Sequence, residues 1–438
     1  MRIRTTGAAS AAAIAALACF TACSPGAGGE DTAAPSGPVS TALPDEEVTL
    51  TLMTTPESGA STQKTIDAFE KLHPQVDIEY KQTNYDDYNK SLNLELSSDS
   101  APDIALLNSV GTTVKNKLVR DLDPYAEAYG WDETLPSNQL AQWRVAKDGS
   151  TLGEGPLYAA PAGFSEVGVY YNKALAAKIG LTAVPETLEE FEKALATAKK
   201  AGVLPLQVGN GEGHAAFIVQ LVGQSIDGAS NYTPWVFGHD GATFDTDGNR
   251  QGLDRLAAWT KAGYLPASAN GTDLQGAVAN FVEGEGLFFI DGNWDASKIA
   301  EGLGDDAGFF AFPGEKKTAI GTSVAYAISS KSEHPDVAAA FLDFLGSAEA
   351  GKQQFAQGFM PVDPTAVTPA AGTLQEQLVA AWGRVVTDDG LVGFNNNASP
   401  TMNDTLTATT QEVLAGRIDT AKAISTIQDD WASTHGND

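Results

Sequence analysis

Few residues of this chain have types and spacings suited to chemistry, and each such set has a plainer explanation beside it. The five histidines, His73, His214, His239, His334 and His435, are scattered without the close spacing of zinc ligands. Asp245, Asp247 and Asn249 alternate in "FDTDGN" as the first oxygens of a calcium loop do. The glycine comes too early, however, and no glutamate stands at the twelfth position. A turn entering a helix around "LDRLAAW" explains them better. Adjacent Tyr170 and Tyr171 would place two phenolates on ferric iron only if both faced one cleft. Successive side chains of a strand point to opposite faces, so core packing is the expectation. Glu283 with Glu285, and Asp305 with Asp306, are neighbours in sequence, whereas glycoside hydrolysis needs two carboxyls opposed at ~5 to 9 Å. No G-x-S-x-G, G-x-x-x-x-G-K-[ST] or H-E-x-x-H is present, so nucleophile-elbow, phosphate-loop and zincin chemistry lack their motifs. One further stretch stands where a ligand site could lie. In "GEGLFFIDGNW", Gly284 to Trp294, an apolar strand ends in turn residues and a tryptophan follows at once, at the strand end where α/β proteins place ligands.

The elements that must position such residues need a large fold. The chain has 438 residues, 42% hydrophobic and 19% charged, enough for two packed domains. Asp plus Glu exceed Lys plus Arg by 56 to 27, a formal charge of -29, which disfavours nucleic acid and anionic lipid as partners. Arg2 and Arg4 precede an alanine-rich apolar stretch that ends in "FTAC", the pattern of a secretion signal. Small residues before Cys23 resemble the bacterial lipoprotein signal. Residues 1–22 are therefore expected as signal peptide and Cys23 as the lipidated residue, with Cys19 as the alternative. Residues 23–47, rich in Pro, Gly and Ser, read as a flexible tether. No later segment approaches the ~18 uninterrupted apolar residues of a membrane span.

Folding begins at "VTLTLMTT", where Val48, Leu50 and Leu52 alternate in a strand pattern. "STQKTIDAFEKLHP" follows as a helix with Ile66, Phe69 and Leu72 on one face, ended by Pro74. "VDIEY", a helix carrying Tyr88, Leu92 and Leu96, and "IALLN" complete a β-α-β-α-β start that predicts a mostly parallel sheet flanked by helices. Later come the strand "GVYYN", a helix opened by Thr187 with Glu190, the strand at Leu287 to Ile290, and "VAYAIS". The remainder reads as helical, from Pro335 to a last helix with Ile424, Ile427 and Trp431. The pattern is two α/β units and a helical C-terminal region.

Taken in order, "TTPES", "NYDDYNKSLNLELSSDSAPDI", "VYYNKAL", "GEGLFFIDGNW", "GTSVAYAIS" and "GFMPV" resemble the family 1 extracellular solute-binding proteins of ABC importers, the carbohydrate-binding group that includes maltose-binding protein. The likeness runs from about residue 48 to the last helix. It implies a two-lobed periplasmic-binding-protein-like fold with a hinge. The amino-terminal lobe would hold 48–163 and about 319–365, and the other lobe 164–318 and about 366–438. It also implies a monomer without cofactor or metal, held by lipid on the outer face of the bacterial cytoplasmic membrane and partnered with permease subunits and an ATPase. By motif, the ligand-binding positions are Glu57 and Ser58, Asn108 and Ser109, and Phe164, Ser165 and Glu166. Asn293 and Trp294, Thr322 and Ser323 beside Gly321, and Phe359 complete the set, with His214, Phe217 and Trp235 as further candidates.

A pyranose explains these residue types. Its apolar face covers an aromatic ring, and its hydroxyls donate to and accept from carboxylates and amides. The expected activity is capture of a sugar, most simply an oligosaccharide, by lobe closure, with no chemistry performed. The rival readings are a receptor of the same fold for a cationic or other non-sugar solute, a secreted glycoside-acting enzyme, and a structural cell-wall lipoprotein.

Overall fold

The computed structural model describes residues 39–135, 137–363, 366–387 and 389–436. Cys23 and the signal segment lie outside them. Residues 39–47, expected within the tether, lie against the folded body: Val39 and Leu43 pack on the core, and the Ser40 N–H donates to Asp336 Oδ2 at 3.3 Å.

The chain first lays down β1 (Val48–Thr54), β2 (Val76–Gln82) and β3 (Ile104–Leu107). These strands are parallel, with β1 in the centre. Between them run the helices Pro56–Leu72 and Tyr85–Ser97. Ile66 and Phe69 of the first and Tyr88, Leu92 and Leu96 of the second are buried as their spacing requires, but Leu72 is 62% exposed. The helix stops there, and it is the ring of His73 that packs on Phe69, tilted, at 4.7 Å. A hairpin of β4 (Arg144–Val145) and β5 (Leu152–Leu157) leads to β6 (Ala160–Phe164), the last strand on this side before the chain crosses.

The second sheet opens with β7 (Val167–Asn172) and adds β8 (Leu206–Gln207), β9 (Phe288–Gly292), β10 (Ala307–Phe310) and β11 (Ala319–Ile320). The chain then returns as β12 (Ser323–Ile328) to the first sheet, and β13 (Leu391–Val392) later joins the second. The first sheet is ordered β2-β1-β3-β12-β6; the second is ordered β13-β11-β7-β9-β8, with β10 on β7.

Both sheets are mixed, which corrects the expected mostly parallel arrangement. The crossing strands are the reason. β1 and β3 run toward the gap between the sheets, so a strand arriving from the other sheet must run away from it. β12 is accordingly antiparallel to β3 and β6, and β7 is antiparallel to β9, β10 and β11. The two crossings pair with each other. Phe164 opposes Ser323, Ser165 N–H donates to Thr322 O at 2.8 Å, and Val167 opposes Ile320. Sheet membership thus changes between 164 and 167 and again between 320 and 323. A further contact, Phe164 with Met360 in both directions at 2.7 and 3.0 Å, lies beside this ribbon.

Tyr170 and Tyr171 take opposite faces of β7, where Tyr170 packs on Phe309 and Tyr171 on Phe310. The "FDTDGN" stretch is a helix entrance: Thr246 caps Asp247–Lys261, and Asp245 pairs with Arg250 at 2.7 Å.

Candidate functional site

Topology brings strand ends together. β1, β2 and β3 point their carboxyl ends at the gap from one side, and β8, β9, β11 and β13 do so from the other. The loops after these strands enclose a cleft of about 540 Å³, within the range of small-molecule sites. Thr55, Asn84, Tyr85 and Asn108 line it from the first lobe, and Ser165, Thr322 and Ser323 from the crossing ribbon. From the second lobe come Glu212 and His214 after β8, Trp294 after β9, and Phe394, Asn395 and Asn396 after β13. Phe217 and Gln220, on the helix Ala215–Asp227, complete that wall.

The second-lobe wall is aromatic. Trp294, half-buried, lies 6.3 Å from Phe217 and 6.0 Å from Phe394, and these two are 5.8 Å apart. His214 meets the edge of Phe217 at 5.3 Å. Around this patch the lining mixes amides and hydroxyls with the aliphatic side chains of Leu106, Leu107, Leu274, Val324 and Leu406, with Glu212 and Asp273 as its carboxylates and no lysine or arginine among the described residues. Both carboxylates also serve the start of the helix Leu274–Val282: Glu212 accepts from Leu274 N–H at 3.1 Å and Asp273 from Gly276 N–H at 2.7 Å.

Of the positions expected from sequence, Asn108, Ser165, Trp294, Thr322, Ser323, Phe359, His214 and Phe217 line the cleft. Ser109, Phe164, Glu166, Asn293 and Trp235 do not. Ser109 is exposed beyond the end of β3. Phe164 is buried with its ring stacked on Trp382 at 5.5 Å. Asn293 is fully buried, accepting from Glu166 N–H at 3.1 Å and donating to Phe164 O at 3.1 Å. It ties β9 to the crossing strand and is not among the residues lining the cleft. Trp235 packs on Phe244 at 4.9 Å in the core. Glu57 and Ser58 fall in the first turn of the helix Pro56–Leu72, beside Thr55; their side chains lie outside those described.

Glu166 is fully buried under the ribbon, and burial pushes its carboxyl well above the usual range. Asp291 is likewise pushed well up, first by burial and then by the charge of Asp295. Asp295 in turn pairs with Lys298 at 3.1 Å. These carboxyls are outside the cleft lining. Among the described residues no group of three or more His, Cys, Asp or Glu is placed to hold a metal ion.

Sequence reading missed Gln220, Phe394, Asn395 and Asn396. "NNN" at 395–397 was the available signal, a polar run after an apolar pair in a region otherwise read as helical.

A family model for the bacterial extracellular solute-binding proteins matches residues 54–352. Among curated relatives, one of Mesorhizobium japonicum named "Probable sugar-binding periplasmic protein" is 29% identical over 46% of this chain and 46% of its own length. The galactooligosaccharide-binding protein of Bacillus subtilis is 22% identical over 84% of this chain and 85% of its own. Among solved structures, a chitin oligosaccharide binding protein superposes with a TM-score of 0.75 at 21% identity, covering 89% of this chain and all of that one.

Proposed function

Because this chain belongs to the bacterial extracellular solute-binding proteins, we propose that it captures a neutral carbohydrate, in the first instance an oligosaccharide, and hands it unchanged to an ABC importer. The observation that carries this reading is the cleft itself. One wall offers Trp294, Phe217 and Phe394; the rest mixes amides and hydroxyls with Leu106, Leu107, Leu274, Val324 and Leu406, and holds no lysine or arginine among the described residues. An apolar sugar face covers the first, and a fringe of hydroxyls satisfies the second. Two or three hydrogen bonds of about 1 kcal/mol each add to the burial of an aromatic face. A phosphorylated or carboxylated sugar would find no counter-ion.

The names of the relatives, which bind sugars and oligosaccharides, support the same class. The lobes meet through a paired ribbon, so ligand contacts with both lobes favour the closed form. ATP hydrolysis belongs to the importer's other subunits. The chain performs no reaction on the sugar, a reading supported by the engagement of Glu212 and Asp273 at a helix start. Tethering through a lipid on Cys23 completes the proposal. Cys23→Ala should move the protein from the membrane fraction to the medium, and unchanged membrane retention would remove the anchor from it.

Calorimetric titration with glucose-, galactose-, xylose- and N-acetylglucosamine-based oligosaccharides tests the main claim. One class should bind saturably at one site and be recovered intact. Binding only of cationic solutes, with steep salt dependence, would favour the rival receptor; cleavage of the sugar would favour an enzyme.

A further inference from the structure

Two side chains on the second-lobe wall of the cleft, Gln275 and Trp294, carry hydrogen-bond donors that no described residue accepts. Gln275 stands in the first turn of the helix Leu274–Val282 and is exposed. Its Oε1 accepts from Lys298 Nζ at 2.6 Å. An ammonium only donates, so the atom facing Lys298 is the oxygen, and the orientation of the amide follows from chemistry. Lys298 is itself held: its Nζ also donates to Asp295 Oδ1 at 3.1 Å, and the Asp295 side chain is fully buried. A buried carboxylate thus fixes an ammonium and the ammonium fixes an amide oxygen. Gln275 is left with Nε2, a donor only.

Trp294 precedes Asp295 in the chain, so Lys298 ties the helix start that carries Gln275 to the turn that carries the tryptophan. The indole packs on Gly292 through Cε3, Cζ3 and Cη2, at the far side of the bicycle from Nε1. The rings of Phe217 and Phe394 that flank it carry no oxygen or nitrogen to accept from it. Elsewhere in the fold, Trp131, Trp143, Trp259 and Trp431 each donate to a protein oxygen. The Trp294 N–H has no such partner, and unlike that of Trp235 it is not enclosed. Lys298 is not in the cleft lining and its charge is paired with Asp295, so the wall presents these donors as neutral groups.

We propose that Gln275 and Trp294 are paired specificity-determining donors that read ligand oxygens as acceptors, Trp294 through its indole N–H, and that Lys298 is the positioning residue that keeps Gln275 Oε1 turned away from the ligand. The assignment rests on the carbohydrate reading and deepens it. An ether or acetamido oxygen, which can only accept, satisfies such donors as a hydroxyl does. A sugar with hydrogen in place of that oxygen leaves them unmatched and is discriminated against.

The test titrates the purified protein with maltotriose, cellotriose, xylotriose, chitotriose and raffinose, with thermal melting as the control for folding. The sugar that binds is then carried to Gln275→Leu, to Lys298→Met, to the two combined, and to a protein with benzothienylalanine at position 294. That side chain keeps the bicycle and puts sulfur where the indole has its N–H. Gln275→Leu and the sulfur isostere should each weaken binding about threefold to tenfold, and the isostere should melt as the unsubstituted protein does. Lys298→Met frees the amide to turn and should weaken binding by less. The combined variant should bind no more weakly than Gln275→Leu alone, because Lys298 acts through Gln275; additive losses would remove its positioning role. If a sugar binds and either Gln275→Leu or the isostere binds it as tightly as the unsubstituted protein, the paired assignment falls while the carbohydrate reading stands. A lower melting temperature of the isostere would show the N–H bonded within the protein and would overturn the assignment as well. If the unsubstituted protein binds none of the sugars, both fall together.

Discussion

The six-membered ring of Trp294 lies over Gly292, and a methyl on that glycine would sit 2.1 to 2.3 Å from its carbons. The tryptophan therefore packs on its own lobe and lines the cleft at once. Gly292→Ala should push the ring out of this position. The expected result is a loss of about 1 to 3 kcal/mol in stability from overpacking together with weaker sugar affinity, read by melting and calorimetry. Unchanged affinity would detach the ring's placement from binding. A second residue-scale prediction concerns pH. Asp291 ionises near 4 in the unfolded chain, but burial and the neighbouring Asp295 make it hold its proton to higher pH in the fold. Keeping it protonated in the fold thus adds no pH-dependent cost below about pH 4 and a growing one as pH rises above it. Asp291→Asn, which keeps the shape and removes the ionisation, should raise the melting temperature at pH 7 more than at pH 4; equal shifts at both would contradict this. At this scale Trp294, expected from its motif, and His214 and Phe217, further candidates outside the motifs, all line the cleft. The motifs did not separate Trp294 from Asn293 and Glu166, because local pattern does not encode which neighbours of a cleft residue are consumed in tying strands together.

Among the elements, the ribbon that joins the sheets sets the geometry of any closure. Gly321 approaches it so closely that a methyl would lie 2.2 Å from the carbonyl oxygen of Ser165 on the opposite strand. Backbone cannot yield as a flexible side chain does, so Gly321→Ala should spread the crossing strands. Melting should fall, and affinity for the sugar should fall with it because both lobes contribute to the cleft; a variant with native melting and native affinity would show the ribbon to be tolerant. β1, β2, β3, β7, β9 and β12 were legible as apolar alternation or apolar runs. β8, β11 and β13, at two residues each, are too short to carry a period, and β13 is the strand that delivers Phe394 and the asparagines. The expected parallel sheets became mixed for a reason no local window contains: the direction of β7 and β12 is imposed by arrival from the other lobe.

At the scale of the molecule, the order of motifs was enough to expect two lobes around a cleft, and the sheets are arranged so. What was not legible is how the C-terminal region closes the site. Helix Met402–Leu414 and the turn after β13 contribute Asn403, Leu406, Asn395 and Asn396 to the lining, and these contacts arise only once the chain has folded back on the second lobe. The formal charge of -29 disfavours anionic ligands, and the cleft lining offers no lysine or arginine among the described residues to receive one.

The central claim is capture of a neutral oligosaccharide on the aromatic wall of this cleft. Calorimetric titration of the protein beside Trp294→Ala tests it most directly. The account predicts saturable one-site binding of one sugar class, weakened by about 1 to 3 kcal/mol in the variant. Absence of binding by every sugar, or equal binding by the two proteins, would contradict it.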